Sequence, residues 1–367
     1  MKIMLITCNR SGGMVHYVSQ LANALSCIDE VVVLGPEDMD LSHFSDRVRV
    51  KQVTMGNTMG NFLKRIVNPM NMFRFLRTIR DENPDIVHIN EPTIWVGLAL
   101  PFLSKYPIVN TIHDANPHLG SRKIDQKIGR RLHFTRSNGI IVHGRWAQEQ
   151  LRSQGVEGAR AIPHGDYAFL STSYEKLAEE DAVLFFGRIE DYKGLGYLIE
   201  AMDIVHRRCP GTRLIIAGSG DFSKYAALTS SDLFEIHNEF IPDEDIPRYF
   251  QRARAVVLPY VEGTQSGVIA IAYAFKKPVI ASRVGCIPEI VDDGVTGFLV
   301  PPMSVQALAD SIIKVINDDE LRAELGSNAY KKMQEEISWN RIAGLTRDSY
   351  ADAKVAHETA SGGRTHV

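Results

Sequence analysis

Residues 181–202, DAVLFFGRIEDYKGLGYLIEAM, run from an apolar segment through a Gly-Arg turn into an amphipathic segment of helical period. A continuous apolar run of this length is the mark of a strand buried on both faces of a parallel sheet. The turn then sets two cations, Arg188 and Lys193, at the strand's C-terminal end, which is where open parallel sheets hold anionic ligands. A forked guanidinium beside a helix N-terminus supplies fixed positive charge to phosphate oxygens, so the segment reads as a diphosphate site. The plainer alternative is a surface turn in which Arg188 pairs with Glu190 or Asp191.

Residues 255–302, AVVLPYVEGTQSGVIAIAYAFKKPVIASRVGCIPEIVDDGVTGFLVPP, repeat the pattern: a strand, a loop of small residues, then a helix. Ser266, Gly267 and Val268 fall where that loop enters its helix, so their backbone N–H groups are candidates for the same phosphates. Gly267, without a Cβ, permits close approach. Gly12 and Gly13 offer a similar turn after the first strand of the chain. Each of these also has an ordinary reading as a helix start.

Short apolar strands alternate with amphipathic helices along the whole chain, which argues for parallel sheets covered on both faces. Strands are expected near 2–8, 30–34, 48–53, 85–89, 107–112, 139–142 and 160–162, and a second set near 182–187, 213–217, 234–237, 255–258, 278–281 and 298–300. The pattern breaks around Gly165–Asp181, where small and acidic residues interrupt it. A chain of 367 residues suits two such domains, each with its own core.

In order and spacing these pieces resemble the family-4 nucleotide-sugar glycosyltransferases. They are the Gly-Gly loop (Gly12, Gly13), PDIVHIN at 84–90, VNTIHD at 109–114, IPHGD at 162–166, GRIEDYKG at 187–194, IIAGSGD at 215–221 and the 255–302 block. The resemblance spans nearly the whole chain. It implies an α/β chain of GT-B fold: two doubly wound Rossmann-like domains facing across a cleft. The N-terminal domain, 1–166, takes the acceptor side. The C-terminal domain, 167–339, binds the donor. A last helix of about 340–355 returns to the first domain, and a tail at 356–367 is expected to be disordered.

The activity implied is transfer of a sugar from a nucleotide diphosphate to a hydroxyl acceptor, with retention of anomeric configuration, in glycan, glycolipid or surface polysaccharide synthesis. Arg188 and Lys193 then stabilise the departing diphosphate. His113, ending a strand and followed by Asp114, stands where the family places a residue near the reacting carbon, for positioning or electrostatic support. His88 reads as a structural brace, and His16 and His164 have no assigned role. No metal or cofactor is called for, because cations and helix N-termini supply the charge. The Asp38–Asp40 pair reads as solvated loop. An epimerase or phosphorylase on the same scaffold would need a further acid and base or a cofactor lysine. A non-catalytic sugar-nucleotide binder is the alternative of a different class.

The chain departs from the family at the donor loop. Two Glu separated by seven residues are usual there, one near the donor sugar and one on the ribose. Glu262 fills the first only if the register slips by one, since an ungapped register places Gly263 there. The second becomes Ile271, or Ala270 in the slipped register. Gln265 is the candidate compensating polar group. Cys286 also replaces the second Gly of the usual Gly-Gly pair before IPEIV.

Net charge is −3, but residues 1–170 hold 20 Lys and Arg against 15 Asp and Glu, while the remainder holds 21 against 29. The cations of the first half gather at Lys64, Arg65, Arg74, Arg77 and Arg80, and at Arg122, Lys123, Lys127, Arg130, Arg131 and Arg136, interleaved with Phe62, Leu63, Phe73, Phe75 and Leu76. Solvated helix faces explain such runs, and peripheral contact with an anionic membrane or a lipid-linked or phosphorylated acceptor is the sharper reading. No aromatic and basic pattern for nucleic acid is present. Four scattered cysteines, Cys8, Cys27, Cys209 and Cys286, fit a reduced, cytoplasmic protein. The longest apolar stretch, Thr93–Leu103, is about half of the roughly 20 residues a membrane helix needs.

Overall fold

A computed structural model describes residues 1–55, 69–115, 123–172, 174–229 and 231–362, without the side chains of 123–128 and 362. It divides into two compact units: Met1–Gly165 with Trp339–Val367, and Asp166–Ser338.

In the first unit the strands are β1 (Lys2–Ile6), β2 (Glu30–Pro36), β3 (Arg49–Val53), β4 (Ile86–Ile89), β5 (Ile108–Ile112), β6 (Gly139–Val142) and β7 (Ala159–Ala161). They pair in parallel in the order β3-β2-β1-β4-β5-β6-β7. Alternation along β1 feeds two cores. Ile3 and Leu5 face the helix Gly13–Leu25 and the C-terminal helix, while Met4 and Ile6 join Phe75 and Trp95 on the other face. The order reverses at β1, which lies between β2 and β4, so loops leaving β1 and β4 diverge and open a crevice at their C-terminal ends.

The C-terminal helix, Trp339–Gly362, is part of this unit. Trp339 packs 5.3 Å from Tyr17, centroid to centroid, and covers Gly165 so closely that a Cβ there would collide with its indole. Tyr350 hydrogen-bonds His88 at 2.7 Å. The helix runs past the expected end at 355, through 356–362, because AHETASG contains good helix formers and no proline. Those residues are helical rather than disordered, and 363–367 lie outside the described residues.

The second unit is built from β8 (Ala182–Phe186), β9 (Arg213–Ala217), β10 (Phe234–His237), β11 (Ala255–Leu258), β12 (Val279–Ser282) and β13 (Gly297–Val300). Their parallel order is β10-β9-β8-β11-β12-β13. Val183 and Phe185 turn to the helices Leu195–Arg208 and Val305–Asn317. Leu184 and Phe186 turn to Tyr249, Phe250 and the helix Gly267–Ala274. The reversal here falls at β8, which lies between β9 and β11; β8 and β11 are the two strands whose loops were singled out in the sequence. All the strands expected are found, with ends shifted by at most two residues.

Candidate functional site

The loop after β8 begins at Gly187 and Arg188, makes a single turn at Asp191–Lys193 and enters the helix Leu195–Arg208 through Gly194. Gly194 is left-handed, at φ 70°, and a Cβ on it would collide with the carbonyl oxygen of Pro259. Only glycine meets both demands, and it lets the loop after β11 press against the loop after β8. Val261 N–H donates to the Tyr192 carbonyl at 2.8 Å across that contact.

Side chains tie the same two loops. Lys193 Nζ donates to the Tyr260 hydroxyl at 2.6 Å and lies 3.9 Å from its ring centroid. That hydroxyl is 2.9 Å from Ser266 Oγ. Tyr260 is buried, so the ammonium is held in place by a rigid aromatic rather than left on a mobile stem. Arg188 is different. Its side chain is 66% exposed and pairs with Glu190 at 2.9 Å, with a long contact of 3.5 Å to the Tyr192 hydroxyl. An exposed pair of this kind contributes about 0–1 kcal/mol, so a dianionic ligand can displace Glu190 at little cost.

Ser266 caps the helix Gly267–Ala274 in extended conformation without donating or accepting through its side chain at the cap. The first backbone N–H groups of that helix, from Gly267 and Val268 onward, therefore have no side-chain cap. Gln265 Oε1 is buried with no hydrogen-bond partner among the described residues, and an unpaired buried amide oxygen beside a helix start is a candidate for a ligand hydroxyl or amine. Glu262 lies half-buried on the same loop.

Two departures from the family pattern have physical explanations here. Ile271 and Ala270, at the position of the second Glu, are buried in the unit's apolar core. Nor does Cys286 cost the turn anything: it sits at φ −84°, a value any residue adopts, and the left-handed position is Gly285 at φ 54°. Gly285 also presses on the Gly263 carbonyl, while Cys286 N–H donates to the Thr264 carbonyl at 2.8 Å, pinning the loop that carries Glu262, Gln265 and Ser266.

At the edge of the first unit, Gly12 has φ 76° and leads into the helix Gly13–Leu25 with no side-chain cap. His113 follows β5 and is 9% exposed. Its Nε2 meets the Asn90 carbonyl at 3.0 Å and its Nδ1 meets His143 Nε2 at 2.9 Å. Burial, with His143 and His164 adding to it, holds the His113 ring well below the usual histidine range. A pocket here is lined by Met14, Glu91, His113, Asp114 and Arg130 among others. Burial pushes the Glu91 carboxyl up, against a hydrogen bond from the Asn9 amide and with help from Asp114.

Sequence reasoning missed His143, Tyr260 and Glu91. The signal for His143 was VHG ending β6, the counterpart of IHD ending β5. Arg130, read from sequence as part of a basic run that is either a solvated helix face or a contact for an anionic surface, instead donates to the carbonyls of Asp114 and Ala115. Its helix turns it inward because the chain after β5 exposes carbonyls that need donors. His88 braces as expected, bonded to Tyr350 and, at 2.7 Å, to Thr111. Asp38 pairs with Arg10 and Asp40 accepts from Ser42 N–H, as loop carboxylates do. Arg74, Arg77 and Arg80 lie on the helix Pro69–Glu82, which buries Phe75 and Leu76 and leaves Met70 and Phe73 more than half exposed. Phe62, Leu63, Lys64, Arg65 and Arg122 lie outside the described residues, as do the side chains of Lys123 and Lys127.

Two Rossmann-like units of these strand orders define the GT-B fold, and solved structures of that shape agree. HepE of Anabaena in complex with UDP superposes with TM-score 0.75 at 20% identity, over 96% of this chain and 100% of that one. Sucrose-phosphate synthase of Thermosynechococcus elongatus superposes with TM-score 0.78 at 22% identity, over 97% and 99%. In sequence, the model "Glycosyltransferase Family 4" matches residues 11–165 and "Glycosyl transferases group 1" matches 180–318. The chain belongs to the family-4 GT-B glycosyltransferases. It is similar to a phosphatidyl-myo-inositol mannosyltransferase of Mycobacterium leprae, 28% identical over 85% of each chain. It is also similar to an uncharacterized glycosyltransferase of Methanocaldococcus jannaschii, 33% identical over 49% of this chain and 46% of that one.

Proposed function

We propose that this glycosyltransferase moves a sugar from a nucleotide-diphosphate donor to a hydroxyl acceptor, without a metal and with retention, in glycan, glycolipid or surface polysaccharide synthesis. The observation that carries the donor assignment is the Lys193–Tyr260–Ser266 chain, which fixes an ammonium at the switch point of the second unit. Arg188 adds a second, displaceable cation, and the uncapped N–H groups of the helix Gly267–Ala274 add dipolar charge. These groups act most strongly on charge that develops as the anomeric bond breaks. The relative HepE, whose structures hold UDP and UDP-glucose, supports a nucleotide-sugar donor of this kind.

In this reading the first unit presents the acceptor, with His113 as positioning or electrostatic support. The mannosyltransferase relative acts, by its name, on a phosphatidylinositol, which favours a lipid-linked acceptor and peripheral binding at the cytoplasmic membrane face. Exposed Met70 and Phe73 beside Arg74 and Arg77 suit that surface. No helix among the described residues is long and apolar enough to cross a membrane.

Thermal-shift screening against nucleoside diphosphates and their sugars tests donor binding, because a ligand specific to the native state raises apparent stability. Slow release of nucleoside diphosphate from the bound donor, without acceptor, supports the transferase. Binding with no turnover across an acceptor panel supports a binding module instead.

A further inference from the structure

Two neutral imidazoles cannot serve the contacts found at the ends of β5 and β6. His113 Nε2 lies 3.0 Å from the Asn90 carbonyl oxygen, and His143 Nδ1 lies 3.1 Å from the Ile162 carbonyl oxygen. Between the rings, His113 Nδ1 and His143 Nε2 are 2.9 Å apart. A carbonyl oxygen only accepts, so each outer contact needs an N–H, and the central nitrogen pair needs a third. A neutral imidazole carries one N–H and one bare nitrogen. Two neutral rings are therefore one hydrogen short, and one added proton completes the row.

We infer that His113 and His143 share a single added proton, forming a monocationic pair at the C-terminal ends of β5 and β6 beside the pocket of the first unit. His143 is then a positioning residue: it fixes the His113 ring and holds the charge with it. The link to catalysis rests on the proposed function above, while the proton count does not.

The surroundings are mixed. Both rings are buried, and burial, followed by His164, drives His143 down to about 3, while burial, followed by His143 and His164, holds His113 well below the usual histidine range. The helix Gly13–Leu25 brings the Tyr17 ring to 4.8 Å from His113 and 5.3 Å from His143. His164 stands 5.3 Å from His143, and His88 weakly opposes charge on both rings. On the favourable side, the Asn90 carbonyl raises His113, and the Ile162 carbonyl, then Asp114, raise His143. Glu91 and Arg130 line the pocket beside His113, with the guanidinium directed to the carbonyls of Asp114 and Ala115. What decides for the proton is that removing it leaves one buried contact in which lone pairs face each other at hydrogen-bond distance, so the two rings titrate as a unit.

Long-range proton–nitrogen correlation spectra of the full chain labelled with nitrogen-15 histidine count the ring hydrogens, with His113→Gln and His143→Gln assigning the signals. At pH 7, three of the four nitrogens in the pair bear hydrogen. Two of four overturns the proposal. In His143→Gln the amide donates to His113 Nδ1 and removes the need for the extra proton, so His113 carries hydrogen at Nε2 alone while the melting temperature stays close to wild type. A doubly protonated His113 in that variant also overturns it. Donor hydrolysis in the wild type falls about tenfold per pH unit once the pair loses its proton, and this fall disappears in His143→Gln. A fall that persists in the variant overturns the electrostatic role. Failure of the chain to turn over any donor counts against the transferase, and leaves the proton count decided by the wild-type spectrum.

Discussion

The first unit surrounds its sheet edge with buried imidazoles, His88, His113, His133, His143 and His164, whereas the second lines its edge with Arg188, Lys193 and the hydroxyls of Tyr192, Tyr260 and Ser266. Strand order and switch point are alike; the chemistry is not. Fixed cations suit a ligand that is always anionic, such as a diphosphate. Titratable rings suit a place where a proton or a neutral hydroxyl is handled. The difference between the two edges is thus a difference in what each is set to meet, and it can be tested at both.

The largest effect is expected where the second unit's two loops touch. Gly194→Val places a β-branched residue at φ 70° against the Pro259 carbonyl, and no rotamer relieves a backbone collision. Such a change costs more than about 4 kcal/mol, read as a fall in the urea midpoint of this unit. A stable variant with an intact donor site would show that the loops do not need their close approach.

Next comes Lys193→Ala, which should lower turnover by on the order of 10²-fold or more while leaving the fold intact, and Arg188→Ala should do likewise. Steady-state rates of donor consumption check both. Wild-type rates in both would remove the phosphate assignment. If only Arg188→Ala is silent, its pairing with Glu190 is its whole role, and the comparison sharpens to a single fixed cation.

These residues also show what the sequence could and could not convey. Strand–turn–helix punctuation at GRIEDYKG and at EGTQSGV carried the cations and the helix start, because strand ends and helix starts are local. Tyr260 was hidden since a tyrosine after a strand is equally a core residue, and its value lies in a loop 67 positions from Lys193. His143 was hidden for the same reason: its partner is 30 residues away. Arg130 looked by composition alone like a solvated or anion-contacting residue, although carbonyls outside its own helix drew it in. Cys286 looked like a loss until the backbone showed that Gly285 alone bears the positive φ.

Acid separates the two units further. Burial lowers His88 to about 3 and His133 to about 4, both below the unfolded value of about 6.5. Between these limits the unfolded chain binds more protons, so the stability these rings contribute is complete above about pH 6.5 and is lost as pH falls toward the folded values. At pH 5 a ring such as His88 costs about 2 kcal/mol. Glu235 is held at about 2, first by hydrogen bonds from Arg252, so its contribution is complete above the unfolded carboxylate value of about 4.3 and is lost only below it. Trp95, Trp146 and Trp339, the three tryptophans of the chain, all lie in the first unit, so their fluorescence during urea titration reports that unit alone. Its midpoint should drop between pH 7 and 5, while amide exchange in β8 and β11 changes little. Equal loss in both units would erase the contrast.

The smallest effect probes the hydroxyl chain that distinguishes the second edge. Tyr260→Phe keeps the ring that lies 3.9 Å from the Lys193 ammonium and deletes the oxygen joining Lys193 to Ser266. The ammonium keeps its cation–π contact and loses its directed hydrogen bond, so it wanders rather than leaves. A hydrogen bond from a charged donor contributes about 1.5 kcal/mol, equivalent to roughly a tenfold fall in turnover, with donor affinity nearly unchanged because a bound diphosphate recaptures the ammonium. If turnover instead falls as far as in Lys193→Ala, the hydroxyl itself is part of the charge-stabilising apparatus, and the second edge depends on an ionisable group as much as the first.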